Sequence, residues 1–146
     1  MFIGQADHNL DAKGRLIVPA KFREQLSGKF IISSGFDGCL YIYPEEAWME
    51  FDAKLESLPK SKPEARKIVR FFRANAEYAE LDKQGRVLIP EKHRKYAKID
   101  KEVTLIGDSK RIEVWSSEVY YETNAITSEK LDELTGALTT ETEFVF

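Results

Sequence analysis

Two rhythms of apolar residues run along the chain, and each appears twice. Leu16-Ile17-Val18 and Val87-Leu88-Ile89 are wholly aliphatic runs rich in β-branched residues, so each reads as a short strand. Pro19 and Pro90 cannot donate to a ladder, so each strand stops there. Proline also suits the first position of a helix, which predicts short helices over Ala20 to Leu26 and Glu91 to Ala97. A hairpin follows in each half. Phe30-Ile31-Ile32 and Leu40-Tyr41-Ile42-Tyr43 flank Gly35-Phe36-Asp37-Gly38, while Val103-Thr104-Leu105-Ile106 and Ile112-Glu113-Val114-Trp115 flank Gly107-Asp108-Ser109-Lys110. Helical spacing appears between the halves. Trp48, Phe51, Leu55 and Leu58 form one stripe, and Ala65, Ile68, Val69 and Phe72 form the inward face of a second helix over Pro63 to Arg73. A third helix is expected after Ser116-Ser117-Glu118, continuing patchily toward Leu134. The tail from Thr139 to Phe146 has no helical pattern and reads as mobile or docked on a neighbour.

The polar segment before each aliphatic run is also duplicated. Leu10-Asp11-Ala12-Lys13-Gly14-Arg15 recurs as Leu81-Asp82-Lys83-Gln84-Gly85-Arg86. Asp at the first turn position can accept backbone N–H groups two residues on, and Gly tolerates positive φ. Asp11, Gly14, Asp82 and Gly85 are therefore the turn-shaping residues. The correspondence extends past the proline: Lys21 and Arg23 match Lys92 and Arg94, and, after one inserted residue, Gly35 matches Gly107 and Tyr43 matches Trp115. A half of about 50 residues is marginal alone. Its strands are apolar on both faces and need partners on both sides. Two halves interlocked about a pseudo-two-fold axis can bury one shared core, which predicts one barrel-like domain.

Charge changes the picture more than composition does. The 146 residues carry a net charge of −3, which at first argues against nucleic acid. The distribution argues otherwise. Asp11 to Lys29 holds five basic residues against two acidic, Lys60 to Arg73 six against one, and Asp82 to Lys101 seven against three, whereas Glu113 onward holds eight acidic against one Lys. Segregated charge permits a basic binding face on an acidic protein. The single Cys39 excludes an intrachain disulfide and suits a reducing compartment; it reads as a buried structural thiol. Met1 to Gln5 lacks the pattern of a signal peptide, and no apolar run is long enough to span a bilayer, so a cytoplasmic location off the membrane is expected.

The candidate chemistry is recognition, with no enzyme, metal or cofactor expected. His8, His93 and Cys39 have no metal-ligand spacing, and no phosphate-binding glycine loop or small-molecule substrate motif is present. His93 stands where the first half has Phe22 and reads as a tolerated half-buried residue. Asp11 and Asp82 as an acid–base pair lack an accompanying nucleophile or oxyanion donor. An Arg fork on a rigid turn suits phosphate or the O6/N7 edge of guanine. Arg15 and Arg86 are therefore candidate DNA contacts, flanked by Lys13, Lys83, Lys21, Lys92, Arg23 and Arg94, with the basic helix meeting phosphates. Their alternative use is an ion pair with Asp11 and Asp82 across each turn.

Over residues 1–121 the chain resembles the MraZ family. L-D-A-K-G-R-L-I-V-P-A-K-F-R, D-G-C-L-Y-I-Y-P and L-D-K-Q-G-R-V-L-I-P carry the resemblance in order and spacing. It implies an α+β, mostly β, double swapped-hairpin (AbrB-like) barrel with flanking helices. The corresponding division is repeat 1 over residues 5–47, a helical linker over 48–75, repeat 2 over 76–120, and a C-terminal helix and acidic tail over 121–146. It also implies a nucleoid-associated regulator that binds double-stranded DNA at promoter repeats, usually as a repressor of its own division and cell-wall operon, and that assembles into a ring-forming homo-oligomer. The family's D-x-x-x-R motif falls on Asp11 and Arg15 and on Asp82 and Arg86. In related AbrB units the Arg after the Gly and an early helix base make contacts, which maps onto Arg15 and Arg23, and Arg86 and Arg94. Lys13 is matched by Gln84, so the halves need not contribute equally. The competing reading is an oligomeric antitoxin-like protein-interaction module, with the tail ending in Phe144 and Phe146 as its partner-binding segment.

Overall fold

The structure, a computed structural model, describes residues 1–145. Strand β1 (Gln5–Asn9) enters the first polar turn and β2 (Arg15–Ile17) leaves it. After Pro19 comes α1 (Ala20–Arg23), then the hairpin of β3 (Phe30–Ser34) and β4 (Leu40–Pro44). Two helices, α2 (Glu45–Glu56) and α3 (Pro63–Ala74), connect the halves. The first order then recurs as β5 (Ala76–Ala79), β6 (Arg86–Leu88), α4 (Glu91–Tyr96), β7 (Glu102–Asp108) and β8 (Arg111–Ser116). Helices α5 (Ser117–Asn124) and α6 (Ser128–Glu141) follow.

The two halves exchange strands. Six strands form one antiparallel sheet in the order β1-β7-β8-β4-β3-β5. The first strand of each half pairs with the hairpin of the other, β1 with β7 and β5 with β3, and the hairpins join through β4 and β8. Among the described residues, strands β2 and β6 pair only with each other, as a separate two-stranded ribbon. The interlocking expected from the repeat is therefore present, but the barrel is not closed. The sheet ends at β1 and β5, because the polar turn breaks the chain between β1 and β2 and sends β2 to the matching strand of the other half. Symmetry is also inexact. Gln5 lies opposite Ile106, whereas its counterpart Ala76 lies opposite Ser33, one residue short of the symmetric partner.

Each face of the sheet buries a separate core. On one face Phe30, Ile32, Leu40, Ile42, Val103, Leu105, Ile112 and Val114 pack under the ribbon's Leu16 and Val87, with Val18, Ile89, Phe22 and the N-terminal Phe2. On the other face Ile31, Tyr41, Tyr43 and Trp115 meet Leu55 of α2 and Val69 and Phe72 of α3. This explains why every residue of β3 is buried: its alternate side chains feed two cores.

Several local expectations need correction. Helix α1 stops at Arg23, and Gln25 and Leu26 continue it only as turns, since four residues lie far below a self-sustaining helix. Ile68 is not inward. Ala65, Val69 and Phe72 form the buried stripe of α3, and Ile68 lies about 100° round from Val69, past its edge. His93 is not half-buried; it is fully enclosed in the position that Phe22 occupies in the other half. The tail is helical as far as Glu141, because α6 has its own N-cap, the Thr127 hydroxyl accepting the Lys130 N–H at 3.1 Å. Phe146 lies outside the described residues. Among those described, no helix is long and apolar enough to cross a membrane.

Candidate nucleic-acid interface

The two polar turns share one hydrogen-bonding scheme. Asp11 Oδ1 accepts the backbone N–H groups of Lys13 and Arg15, each at 2.9 Å, and Oδ2 accepts Arg15 Nε at 2.6 Å. Asp82 Oδ1 accepts the N–H groups of Gln84 and Arg86 at 2.9 Å, and Oδ2 accepts Arg86 Nε at 2.8 Å. The chain closes each turn with Gly14 N–H to Asp11 O and Gly85 N–H to Asp82 O, both 3.0 Å. The N–H of the arginine four residues on, followed by its guanidinium, holds each carboxyl below its ordinary range. Both aspartates therefore stay ionised, and their oxygens are occupied by their own turns rather than poised for acid–base work.

Ion pairing and presentation prove compatible in these arginines. Within the guanidinium Nε alone donates to the aspartate, so the group is fixed at its inner edge. The Nη edge of Arg15 makes no hydrogen bond among the described residues. That edge is the one which can fork onto a planar acceptor pair. In the second turn Arg86 Nη2 also donates to Gln84 Oε1.

The ribbon places the two turns on one surface. Arg15 lies opposite Leu88, Leu16 opposite Val87, and Ile17 opposite Arg86. Leu16 and Val87 point into the core, so Arg15, Ile17, Arg86 and Leu88 share the outward face. Ile17 and Leu88 are 50% and 54% exposed. The aliphatic runs are thus not covered on both sides, and this exposed pair was missed from sequence although the alternation of three-residue strands was a usable signal. The ribbon also locks the turns together: Val18 N–H donates to Gly85 O at 3.0 Å and Ile89 N–H to Gly14 O at 2.9 Å.

The helix arginines cross to the opposite repeat. Arg23 lies over Gly85, where an added Cβ would sit 2.7 Å from its guanidinium carbon, and Arg94 lies over Gly14, with 2.3 Å to Nη1. Both glycines have positive φ, +81° at Gly14 and +76° at Gly85, so conformation and close approach each demand glycine. Arg23 is anchored on Val18 O through Nη2 at 2.8 Å and Nε at 3.3 Å. Arg94 Nε is buried without a hydrogen-bond partner among the described residues. Arg23 and Arg94 are half-buried against the opposite turns, whereas Lys13 and Lys83 are exposed on their own turns. Lys21 and Lys92 reach back to backbone carbonyls, Gln5 O at 3.0 Å and Ala74 O at 3.3 Å.

Comparison with known proteins gives one consistent result. The model of a family described as "MraZ protein, putative antitoxin-like" matches residues 1–71 and again residues 72–138. A relative from Desulforamulus reducens, named Transcriptional regulator MraZ, is 48% identical over 134 residues, covering 92% of this chain and 94% of its own. Relatives of the same name from Thermoanaerobacter sp. (strain X514) and Lactiplantibacillus plantarum are 49% and 48% identical, each over 92% of this chain and over 94% and 95% of their own.

Proposed function

The chain belongs to the MraZ family, and from that premise we propose that it is a sequence-specific DNA-binding transcriptional regulator rather than an enzyme. It binds repeated promoter sites through Arg15 and Arg86, acts as a repressor of its own division and cell-wall operon, and works at the nucleoid as a ring-forming homo-oligomer. Its paired halves are AbrB-like swapped hairpins. The observation that carries this reading is the ribbon: one antiparallel ladder sets both arginines on one outward face. A two-stranded ribbon fits the major groove, and an Arg fork matches guanine O6 and N7. Lys13 and Lys83 meet flanking phosphates, and Arg23 and Arg94 hold the turns and face the backbone from the helix side. A ring of such units gains through effective concentration on spaced sites, which offsets the modest discrimination of one Arg pair.

The test is binding to the DNA upstream of the protein's own gene at a stated salt concentration. Arg15→Ala should weaken binding roughly 5- to 150-fold, the worth of a bidentate Arg–guanine contact. Its thermal melt should stay close to that of the parent. Unchanged binding with lost stability would sink the proposal.

A second reading is favoured by one feature. Helix α6 exposes Leu131, Leu134 and Leu138 on an acidic segment, which suits a protein-interaction module of the antitoxin-like kind. Removing residues 125–146 and measuring particle mass and DNA affinity separately distinguishes the two. Loss of a protein partner with intact DNA binding would favour the module.

A further inference from the structure

We propose that Ile17 and Leu88 are a second pair of base-reading side chains, which recognise thymine through its C5-methyl group. The inference rests on the DNA-binding reading above and adds to it the class of base that the arginines do not read. Its ground is the composition of the ribbon's outward face. That face holds four side chains in two cross-strand pairs, Arg15 with Leu88 and Ile17 with Arg86. Each arginine therefore stands beside one aliphatic side chain. Around them the turns supply the exposed Lys13 and Lys83.

Two large aliphatic side chains at the centre of a basic, solvated surface are an odd choice for solubility alone. The core beneath the ribbon does not use them, because Leu16 and Val87 fill the core side of the same strands to 0% and 2% exposure. A strand position facing water can hold Thr with equal β-preference. The arrangement also occurs twice, once in each half, with a different residue each time. The aliphatic character is kept and the identity is not.

The chemistry of the major groove matches this alternation. Guanine presents two acceptors there, and thymine presents one acceptor and a methyl group. Directly opposed residues on an antiparallel ladder stand about 5 Å apart, and successive base pairs are about 3.4 Å apart. An Arg and its aliphatic neighbour thus reach the same or adjoining base pairs. The arginine satisfies guanine O6 and N7, and the aliphatic side chain closes over a neighbouring thymine methyl and removes it from water. Burying one methyl contributes a factor of about four in affinity. The two contacts together give roughly 16-fold at full burial.

The experiment uses the full chain and two duplexes from the upstream region of its own gene. One has natural thymine and the other has deoxyuridine at every thymine, which removes the methyl groups and keeps base pairing. The parent should bind the thymine duplex about 4- to 16-fold more tightly. Both positions face solvent, so the paired variant Ile17→Ser, Leu88→Ser, which removes every methyl group from the two side chains, should melt close to the parent. It should bind the thymine duplex more weakly and bind the two duplexes with nearly equal affinity. Ile17→Asn with Leu88→Asn, measured in parallel, should lose the discrimination in the same way.

Equal binding of both duplexes by the parent would overturn the inference while leaving the regulator reading intact. So would full discrimination retained by both paired variants, since the methyl groups would then be read elsewhere. Variants that change particle mass in solution with the thymine-to-uracil ratio untouched would mark the pair as a contact between copies, and would also overturn it. Failure of the parent to bind either duplex above an unrelated sequence would remove the regulator reading and this inference with it.

Discussion

The two turns share a backbone and differ in how tightly they are held. In the first, Asp11 grips Arg15 and the Nη edge of that arginine is left over, with Lys13 beside it. In the second, Asp82 grips Arg86 in the same way, but Gln84 takes one of its Nη groups. The supports differ in the opposite sense. Gly85 in the second turn is covered by Arg23, which is tied to Val18 O by two hydrogen bonds. Gly14 in the first turn is covered by Arg94, whose Nε is buried with no hydrogen-bond partner among the described residues. The first turn has the better-presented arginine on the looser support. The two turns thus share their internal geometry and hydrogen bonds and differ in the contacts around them.

The largest effect should come from adding a methyl group at the glycines. Gly85→Ala imposes a positive φ on a residue with a Cβ and pushes against an anchored guanidinium, so a loss of about 2–3 kcal/mol is expected. Gly14→Ala carries the same backbone strain, but Arg94 can move aside, so about 1–2 kcal/mol is expected. Urea melts of the two variants check the order. Equal losses would mean that the hydrogen bonds of Arg23 do not stiffen the second turn.

Next in size is the division of DNA affinity between the arginines. Arg15→Ala should cost roughly 5- to 150-fold and Arg86→Ala less, roughly 3- to 10-fold, because part of Arg86 is already committed to Gln84. Gel shifts of the two single variants at one salt concentration decide it. Equal losses would show that the Gln84 contact yields freely to DNA.

Both turns were readable from sequence, and their partners were not, for a physical reason. The D-x-x-G-R scheme is closed within five residues, so local chemistry determines it. Which arginine covers which glycine depends on the exchange of strands between halves, a contact spanning some 60 to 80 residues. Sequence therefore assigns the helix arginines to phosphate contact alone, with no sign that they sit on the opposite turn. The same limit applies to the barrel. The repeat implied interlocking, but only the pairing of β2 with β6 shows that the sheet stays open. Ile17 and Leu88 are a different case. Three-residue strands with a buried middle residue must turn both ends outward, and the uniform aliphatic character of the run hid that alternation. The part of α6 beyond Leu134 escaped detection because Thr-rich, Gly-containing segments have weak helix propensity, and its cap contributes locally instead.

A smaller asymmetry lies beneath the turns. Phe22 of the first half is buried and meets Phe2 edge to face at 5.8 Å, whereas its counterpart His93 is buried with neither ring nitrogen hydrogen-bonded among the described residues. Burial lowers the His93 pKa below its ordinary value of 6.5, with Glu77 opposing and Lys92 assisting the shift. The unfolded chain therefore binds a proton near pH 6.5 that the folded chain takes up only at lower pH. Stability should fall as pH drops through that window and level off below the lowered native value. His93→Phe should stabilise by about 1 kcal/mol, since removal of two unpaired nitrogens outweighs a tighter fit. It should also flatten the pH dependence between about 8 and 5.5. Thermal melts at those two values measure both effects, and a variant that keeps the parent's slope would assign the titration to another group.

The smallest effect should come from making the second turn resemble the first. Gln84→Lys restores the basic residue that Lys13 supplies in the other half, and it releases Arg86 Nη2 from its side-chain acceptor. One added phosphate contact should steepen the salt dependence of binding by about one unit of log K per log salt. Affinity near physiological salt should rise less than about threefold, because the introduced lysine is exposed and screened. Titrations across a series of salt concentrations resolve the slope. A steeper slope with unchanged affinity would mean that the introduced lysine meets phosphate while Arg86 stays held by Asp82. An unchanged slope would place position 84 off the DNA and leave the cover over each glycine as the source of the inequality between the turns.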